Sequence, residues 1–148
     1  MNRKAVYRDS VSLRILNLDD LPPIEFGEVP TVDAALVIGR IGEHESQLFA
    51  SERGDDIEGF SAQRKAEYAS GRRVAHEALQ LLSGMPAAVN RKGRQPEWPV
   101  GYCGAISHSR EIALAMVASK KACRGIGLDV VKKEAVSEKV GDRIMLTA

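Results

Sequence analysis

The sequence predicts an α+β fold: one long helix packed on a short antiparallel sheet. A helical segment with start and stop signals runs from about Ser61 to Leu82. Three short strand candidates follow, Gly104 to Ser107, Ile112 to Ala118 and Gly125 to Val131. Gly, Ser and charged residues separate them, as in an antiparallel meander. One long helix plus such a sheet reads as α+β.

The helix comes first in the argument because its signals are clearest. Ser61 is placed to cap its N-terminus, and Gly84 with Pro86 supplies the stop. Tyr68, Ala75, Leu79 and Leu82 form one stripe at helical spacing, which requires an apolar partner. Arg64 and Arg72 flank Tyr68 at i−4 and i+4, so they lie on one side, about 12 Å apart along the axis. Two readings follow. Either the arginine stems cover the apolar edge while their heads stay in water, or the two guanidinium forks await phosphate.

Residues 1–58 form an irregular leading segment with one or two strands, ahead of a helix-plus-sheet core over 59–148. Leu18-Asp19-Asp20-Leu21-Pro22-Pro23 is turn-rich, and Gly54-Asp55-Asp56 breaks the pattern again. Between them, Ala34 to Ile41 is apolar and β-branched enough for a strand. Beyond the helix, Asn90 to Arg94 is a basic loop containing a glycine. With two prolines, Gln95 to Pro99 reads as irregular.

Composition narrows the function classes. The chain has 148 residues, 44% hydrophobic and 28% charged, the range of one ordinary globular domain. Lys and Arg number 21 against 20 Asp and Glu, which gives no electrostatic reason to expect nucleic acid or a membrane surface. Only local basic clusters are available for an anionic ligand. Aromatics at 5% argue against base-stacking platforms. Met1 to Asn17 has no continuous apolar stretch of the kind a signal peptide carries. The longest apolar run, Ile112 to Ala118, is far short of a membrane span. A soluble protein of the reducing cytoplasm is the expectation.

Several residues invite chemistry. Ser107-His108-Ser109 with Asp129 suggests a Ser-His-Asp triad, but adjacent strand residues point to opposite faces and no Gly-x-Ser-x-Gly elbow is present. Cys103, His108 and Cys123 lack the paired spacing of a zinc site, and buried structural cysteines are the commoner outcome. A single disulfide between the two cysteines stays open on spacing alone. Asp129 sits in the apolar run Gly125 to Val131. A carboxylate there needs hydrogen bonds, an arginine partner or a hard cation such as Mg²⁺.

Taken in order, these segments resemble a known family. Arg64-Lys65-Ala66-Glu67-Tyr68-Ala69-Ser70-Gly71-Arg72 is followed by Arg94-Gln95-Pro96-Glu97-Trp98-Pro99, then Gly104-Ala105-Ile106-Ser107-His108-Ser109, then Gly127-Leu128-Asp129. The set resembles the 4′-phosphopantetheinyl transferases, most closely the enterobactin synthase component D group. The resemblance covers about residues 58–148 and implies one half of a pseudo-twofold α+β enzyme. It implies transfer of the phosphopantetheine arm of coenzyme A to a serine of a carrier protein, with Mg²⁺, in siderophore or related synthesis. It also implies that Arg64, Arg72, Arg94, Ser107 and His108 meet coenzyme A and that Asp129 is the catalytic metal ligand.

Two features depart from the family's pattern. The family reads Gly-Ile-Asp-Ile-Glu, and its glutamate position is Val131 here. Similar proteins also continue into a second half carrying a Trp-x-x-Lys-Glu-type helix, which is not found before Ala148. The expectation is therefore a weakened transferase. The alternatives are a non-catalytic module binding coenzyme A or a carrier protein, and an inactive gene fragment.

Overall fold

The computed structural model describes residues 3–7, 11–16, 24–26, 33–122, 125–133 and 141–147, with side chains among them at 14–16, 33–122 and 125–128. The fold is α+β, with one α-helix against a small mixed sheet. Its strands are β1 (Arg3–Tyr7), β2 (Val11–Ile15), β3 (Ile24–Phe26) and β4 (Ala34–Arg40), all before the helix α1 (Ala62–Ser83). After it come β5 (Asn90–Lys92), β6 (Gln95–Glu97), β7 (Tyr102–His108), β8 (Ile112–Ser119), β9 (Gly127–Lys133) and β10 (Gly141–Thr147).

The main sheet has five strands in the order β1-β2-β4-β8-β7. It is mixed, because β2 and β4 run parallel while β4, β8 and β7 alternate in direction. This corrects the all-antiparallel expectation, and the reason lies in the leading segment. The described residues of that stretch form four strands rather than the expected one or two, and one of them is the central strand β4. The expected meander stops after two strands. β9 pairs antiparallel with β10 in a separate three-stranded sheet completed by β3.

α1 forms where its signals lie. The Ser61 hydroxyl accepts the Arg64 backbone N–H at 3.2 Å, and Gly84 ends the helix in the left-handed region at φ 88°. The buried stripe packs across β8, β4 and β7. Val74, Ala75, Ala78 and Leu79 meet Ala35, Val37, Ala113, Ala115 and Val117, all nearly free of solvent, with Leu82 partly buried at the edge. The small side chains of β8 let the helix approach closely. Residues of the opposite sheet face, such as Leu36, Ile38, Leu114 and Met116, are buried too, so these strands read as unbroken apolar runs.

Two sites take a shape that the sequence reading missed. The stretch read as a loop followed by irregular chain is a hairpin, with Lys92 opposite Gln95 and Arg91 opposite Pro96. Its tight turn needs Gly93 at φ 66°, and a two-stranded ribbon leaves Pro96 an edge where no N–H is required. Trp98 then folds onto β7 at Gly104. A Cβ at position 104 would stand 2.6 Å from the indole and 2.7 Å from the carbonyl oxygen of Met116, so only glycine admits the ring.

Candidate functional site

α1, the β5–β6 hairpin and β7 enclose an open cleft of about 310 Å³. Arg64, Glu67, Tyr68, Gly71 and Arg72 line it from the helix, Arg91, Arg94 and Pro96 from the hairpin, Ile106 and His108 from β7, and Phe60 from the approach to the helix. Four of the predicted residues, Arg64, Arg72, Arg94 and His108, are thus brought together. Ser107 is not in the lining. It is half-buried and is offset from its neighbours Ile106 and His108 by strand alternation. The backbone of Asp129 lies in β9 opposite Met145. Its side chain, like those of Val131 and Cys123, lies outside the described residues.

The arginines are not equivalent. Arg72, expected to keep its head in water or offer it to phosphate, is only 7% exposed. Its Nε donates to the carbonyl of Val89 at 2.8 Å and its Nη2 to that of Asn90 at 3.2 Å, while the guanidinium lies 4.7 Å from the Tyr68 ring centre. Burial holds its pKa below the ordinary arginine value. Arg72 therefore fastens the hairpin to the helix and brings charge to the cleft wall. Arg64 and Arg94 are exposed, and among the described residues neither is ion-paired. Arg64 packs over Phe60, 4.4 Å from its ring centre.

Arg91, which the sequence reading left unassigned, also reaches the cleft. Its Nη1 donates to both carboxylate oxygens of Asp56, at 2.8 and 2.7 Å. The hydrogen bond from Arg91 is the main reason that the Asp56 carboxyl is held below its ordinary pKa. The one carboxylate in the lining is Glu67, whose Oε2 is 3.6 Å from Nδ1 of His108. Four guanidinium groups, one of them paired with Asp56, and a histidine against one carboxylate give the cleft a lining in which basic groups predominate.

Behind the cleft stands a buried network that also escaped the sequence reading. Glu52 is 1% exposed and accepts hydrogen bonds from Nε2 of His76, from the backbone N–H of Phe49 and from that of Val89, all at 2.7–2.8 Å. The Tyr68 hydroxyl donates to the Glu52 carbonyl at 2.7 Å, and burial pushes that hydroxyl's pKa up. A fully satisfied carboxylate tying a short 3₁₀ turn, the helix and the hairpin together fixes the cleft's shape. No spacing signal in the sequence announces it.

Two further candidates, Ser109 and Cys103, lie within the described residues. Ser109 turns the β7–β8 connection, its hydroxyl accepting from the N–H groups of Glu111 and Ile112 at 3.2 Å. Cys103 is buried, and among the described residues no group of three or more His, Cys, Asp or Glu is placed to hold a metal. No helix of the described residues is long and apolar enough to cross a membrane.

Comparison with known proteins then bears on the cleft directly. Residues 52–118, from the buried glutamate to the end of β8's apolar run, match the family model of the 4′-phosphopantetheinyl transferase N-terminal domain. The matched stretch is similar to the N-terminal domain of that transferase family. It contains every described residue that lines the cleft. Enterobactin synthase component D of Salmonella austin is 34% identical over 90 residues, 60% of this chain. The 4′-phosphopantetheinyl transferase PptT of Mycobacterium tuberculosis is 31% identical over 88 residues, 59% of this chain. The transferase Npt of Nocardia iowensis is 32% identical over 84 residues. The chain covers only 36%, 39% and 38% of these three relatives.

Proposed function

We propose that this chain carries the coenzyme A phosphate-binding part of a 4′-phosphopantetheinyl transferase, equivalent to one half of a pseudo-twofold enzyme. The observation that carries the proposal is the gathering of Arg64, Arg72, Arg94 and His108 around one cleft inside the family-matched stretch. The substrate is coenzyme A, and the acceptor is a serine of a carrier protein, in enterobactin-like siderophore or related synthesis.

In the reaction, the serine hydroxyl gives up its proton to water as its oxygen forms a bond to the phosphorus that bears the pantetheine arm. The bond from that phosphorus to the bridging pyrophosphate oxygen breaks, and the nucleotide half leaves with the electron pair. Negative charge grows on the departing phosphate, so preplaced cations lower the barrier. Arg64 and Arg94, exposed and outside any ion pair among the described residues, are the groups free to rotate onto phosphate oxygens. Arg72 is already fixed and adds its charge without reorganisation. His108 brings an imidazole to the cleft wall, its Nδ1 3.6 Å from Oε2 of Glu67.

The resemblance assigns Mg²⁺ to Asp129. One carboxylate with substrate phosphates and water is a donor set that Mg²⁺ accepts, whereas Val131 contributes no ligand. Bound there, the ion would supply positive charge to the pyrophosphate oxygens.

The position of Val131 favours a second reading, a module of the cytoplasm that binds coenzyme A or a carrier protein without transfer. One assay separates the two. The chain is incubated with coenzyme A, Mg²⁺ and an apo-carrier protein, and the carrier is weighed by mass spectrometry. Addition of phosphopantetheine that is lost in Arg64→Ala supports transfer. Binding of coenzyme A without modification supports the module, and neither binding nor modification contradicts both.

A further inference from the structure

A second groove, of about 410 Å³, opens beside the cleft, and Pro96 of the hairpin lines both recesses and divides them. The two lie along one face of β7. Gly104, Ile106 and His108 alternate to the same side of that strand; Gly104 lines the groove, whereas Ile106 and His108 line the cleft. Trp98 fixes the direction independently, because it lines the groove and covers the place that a Cβ of residue 104 would take. At about 3.3 Å per strand residue, Gly104 and His108 stand about 13 Å apart.

The groove's charges differ in kind from the cleft's. Lys92 and Lys120 line it, with no guanidinium among the described residues. Both lysines are exposed, and among the described residues neither is ion-paired, nor is Glu97, the one carboxylate of the lining. Arginine forks suit phosphate, whereas ammonium point charges on flexible stems suit carboxylates that arrive without a fixed geometry. The half-buried rings of Trp98 and Tyr102 supply the apolar part of the lining. Aromatic anchors within a charged rim are the composition of a protein-binding surface.

We propose that this groove docks an acidic segment of the acceptor protein, with Lys92 and Lys120 meeting its carboxylates and Trp98 an apolar side chain. The inference rests on the reading of the chain as part of a transferase and adds where the acceptor is held. Two positive charges against one negative select an acidic occupant. Continuity with the cleft along β7 selects the molecule that must meet the cleft's ligand. The acidic segment then lies about 13 Å from the reacting serine, so docking and chemistry use different parts of the acceptor's surface.

Trp98 is the only tryptophan of the chain and lies outside the cleft's lining, so its fluorescence reports on the groove. The full chain is titrated with a tryptophan-free apo-carrier protein by fluorescence, and separately with coenzyme A by calorimetry. Lys92→Glu combined with Lys120→Glu is expected to weaken carrier binding about tenfold, the scale of two reversed exposed ion pairs, and to leave coenzyme A affinity unchanged. Glu97→Gln, which removes the opposing charge, should tighten carrier binding by about twofold to threefold. Unchanged carrier affinity in the double variant, or weaker binding in Glu97→Gln, would overturn the inference while leaving the cleft's function standing. So would coenzyme A binding with no carrier binding in the unaltered chain. A loss of coenzyme A affinity in the double variant would also overturn it, by giving the groove to that ligand. Self-association of the unaltered chain in light scattering, abolished in the double variant, would overturn it by giving the groove to a second copy. Failure of the unaltered chain to bind either coenzyme A or the carrier protein would overturn the functional reading, and this inference with it.

Discussion

Glu52 and Arg72 hold the two backbone groups of one residue: the carboxylate accepts the N–H of Val89 at 2.8 Å, and the guanidinium donates to its C=O at 2.8 Å. Every polar group of Val89's backbone is thus held by a charged side chain in the interior. The hairpin that carries Arg91 and Arg94 begins at the next residue, so its position is set by this grip.

Glu52→Ala should therefore be severe. It leaves His76 and the N–H groups of Phe49 and Val89 without their acceptor, and losing one partner of a buried network costs about 3–5 kcal/mol. Denaturant unfolding checks it. A midpoint unchanged from the unaltered chain would mean that Glu52 is not the organising group.

Arg72 and Arg64 should separate stability from binding. Arg72→Ala removes two hydrogen bonds to buried carbonyls and should cost about 2–3 kcal/mol of stability. Arg64→Ala removes only an exposed ring contact and should cost under about 1 kcal/mol. In the proposed site, however, it should lose about 1.5–3 kcal/mol of coenzyme A affinity. Thermal unfolding beside calorimetry reads both quantities, and the reverse ordering would be inconsistent with this division of roles.

Gly104→Ala should be destabilising by about 1–3 kcal/mol, the cost of overpacking. The new Cβ meets the Trp98 ring at 2.6 Å and backbone at 2.7 Å, and the backbone cannot swing away. Trp98 fluorescence should shift as the ring is displaced. An unchanged spectrum and melting temperature would show that the ring does not lie on β7.

The Asp56–Arg91 pair carries a pH signature. Asp56 has a folded pKa below its unfolded value of 3.8, owing first to the Arg91 hydrogen bond. A depressed carboxyl binds fewer protons folded than unfolded, so its stabilisation is present above 3.8 and is lost as pH falls through the lower folded value. NMR titration of the Asp56 carboxyl should show its pKa rising towards the ordinary value in Arg91→Gln. No change between the two proteins would mean the pair is not formed in solution.

What could be read in advance follows from the range of each signal. Ser61, Gly84 and the spacing of Arg64, Arg72 and Leu79 are local, so the helix and its basic side were legible, and so was the run forming β8. The partner of β9 was not, because strand pairing is a long-range choice that no local period encodes. The β5–β6 hairpin was hidden by Pro96, which argues against a strand only where an N–H must be donated. Glu52 was invisible for a related reason. An acid in a polar stretch carries no mark of burial until His76 and Val89 arrive from elsewhere in the chain. Arg91 could have been found, since a glycine turn within Asn90-Arg91-Lys92-Gly93-Arg94 suggests a ribbon that carries its basic residues together.

The central claim is that coenzyme A phosphates sit between α1, the β5–β6 hairpin and β7. Arginine and histidine side-chain NMR signals, followed as coenzyme A is added to the full chain, test it most directly. The account predicts saturable shifts concentrated on Arg64, Arg72, Arg91, Arg94 and His108, with Arg14 and Arg110, which do not line the cleft, unmoved. Shifts confined to arginines outside the cleft, or no shift at all, would contradict it.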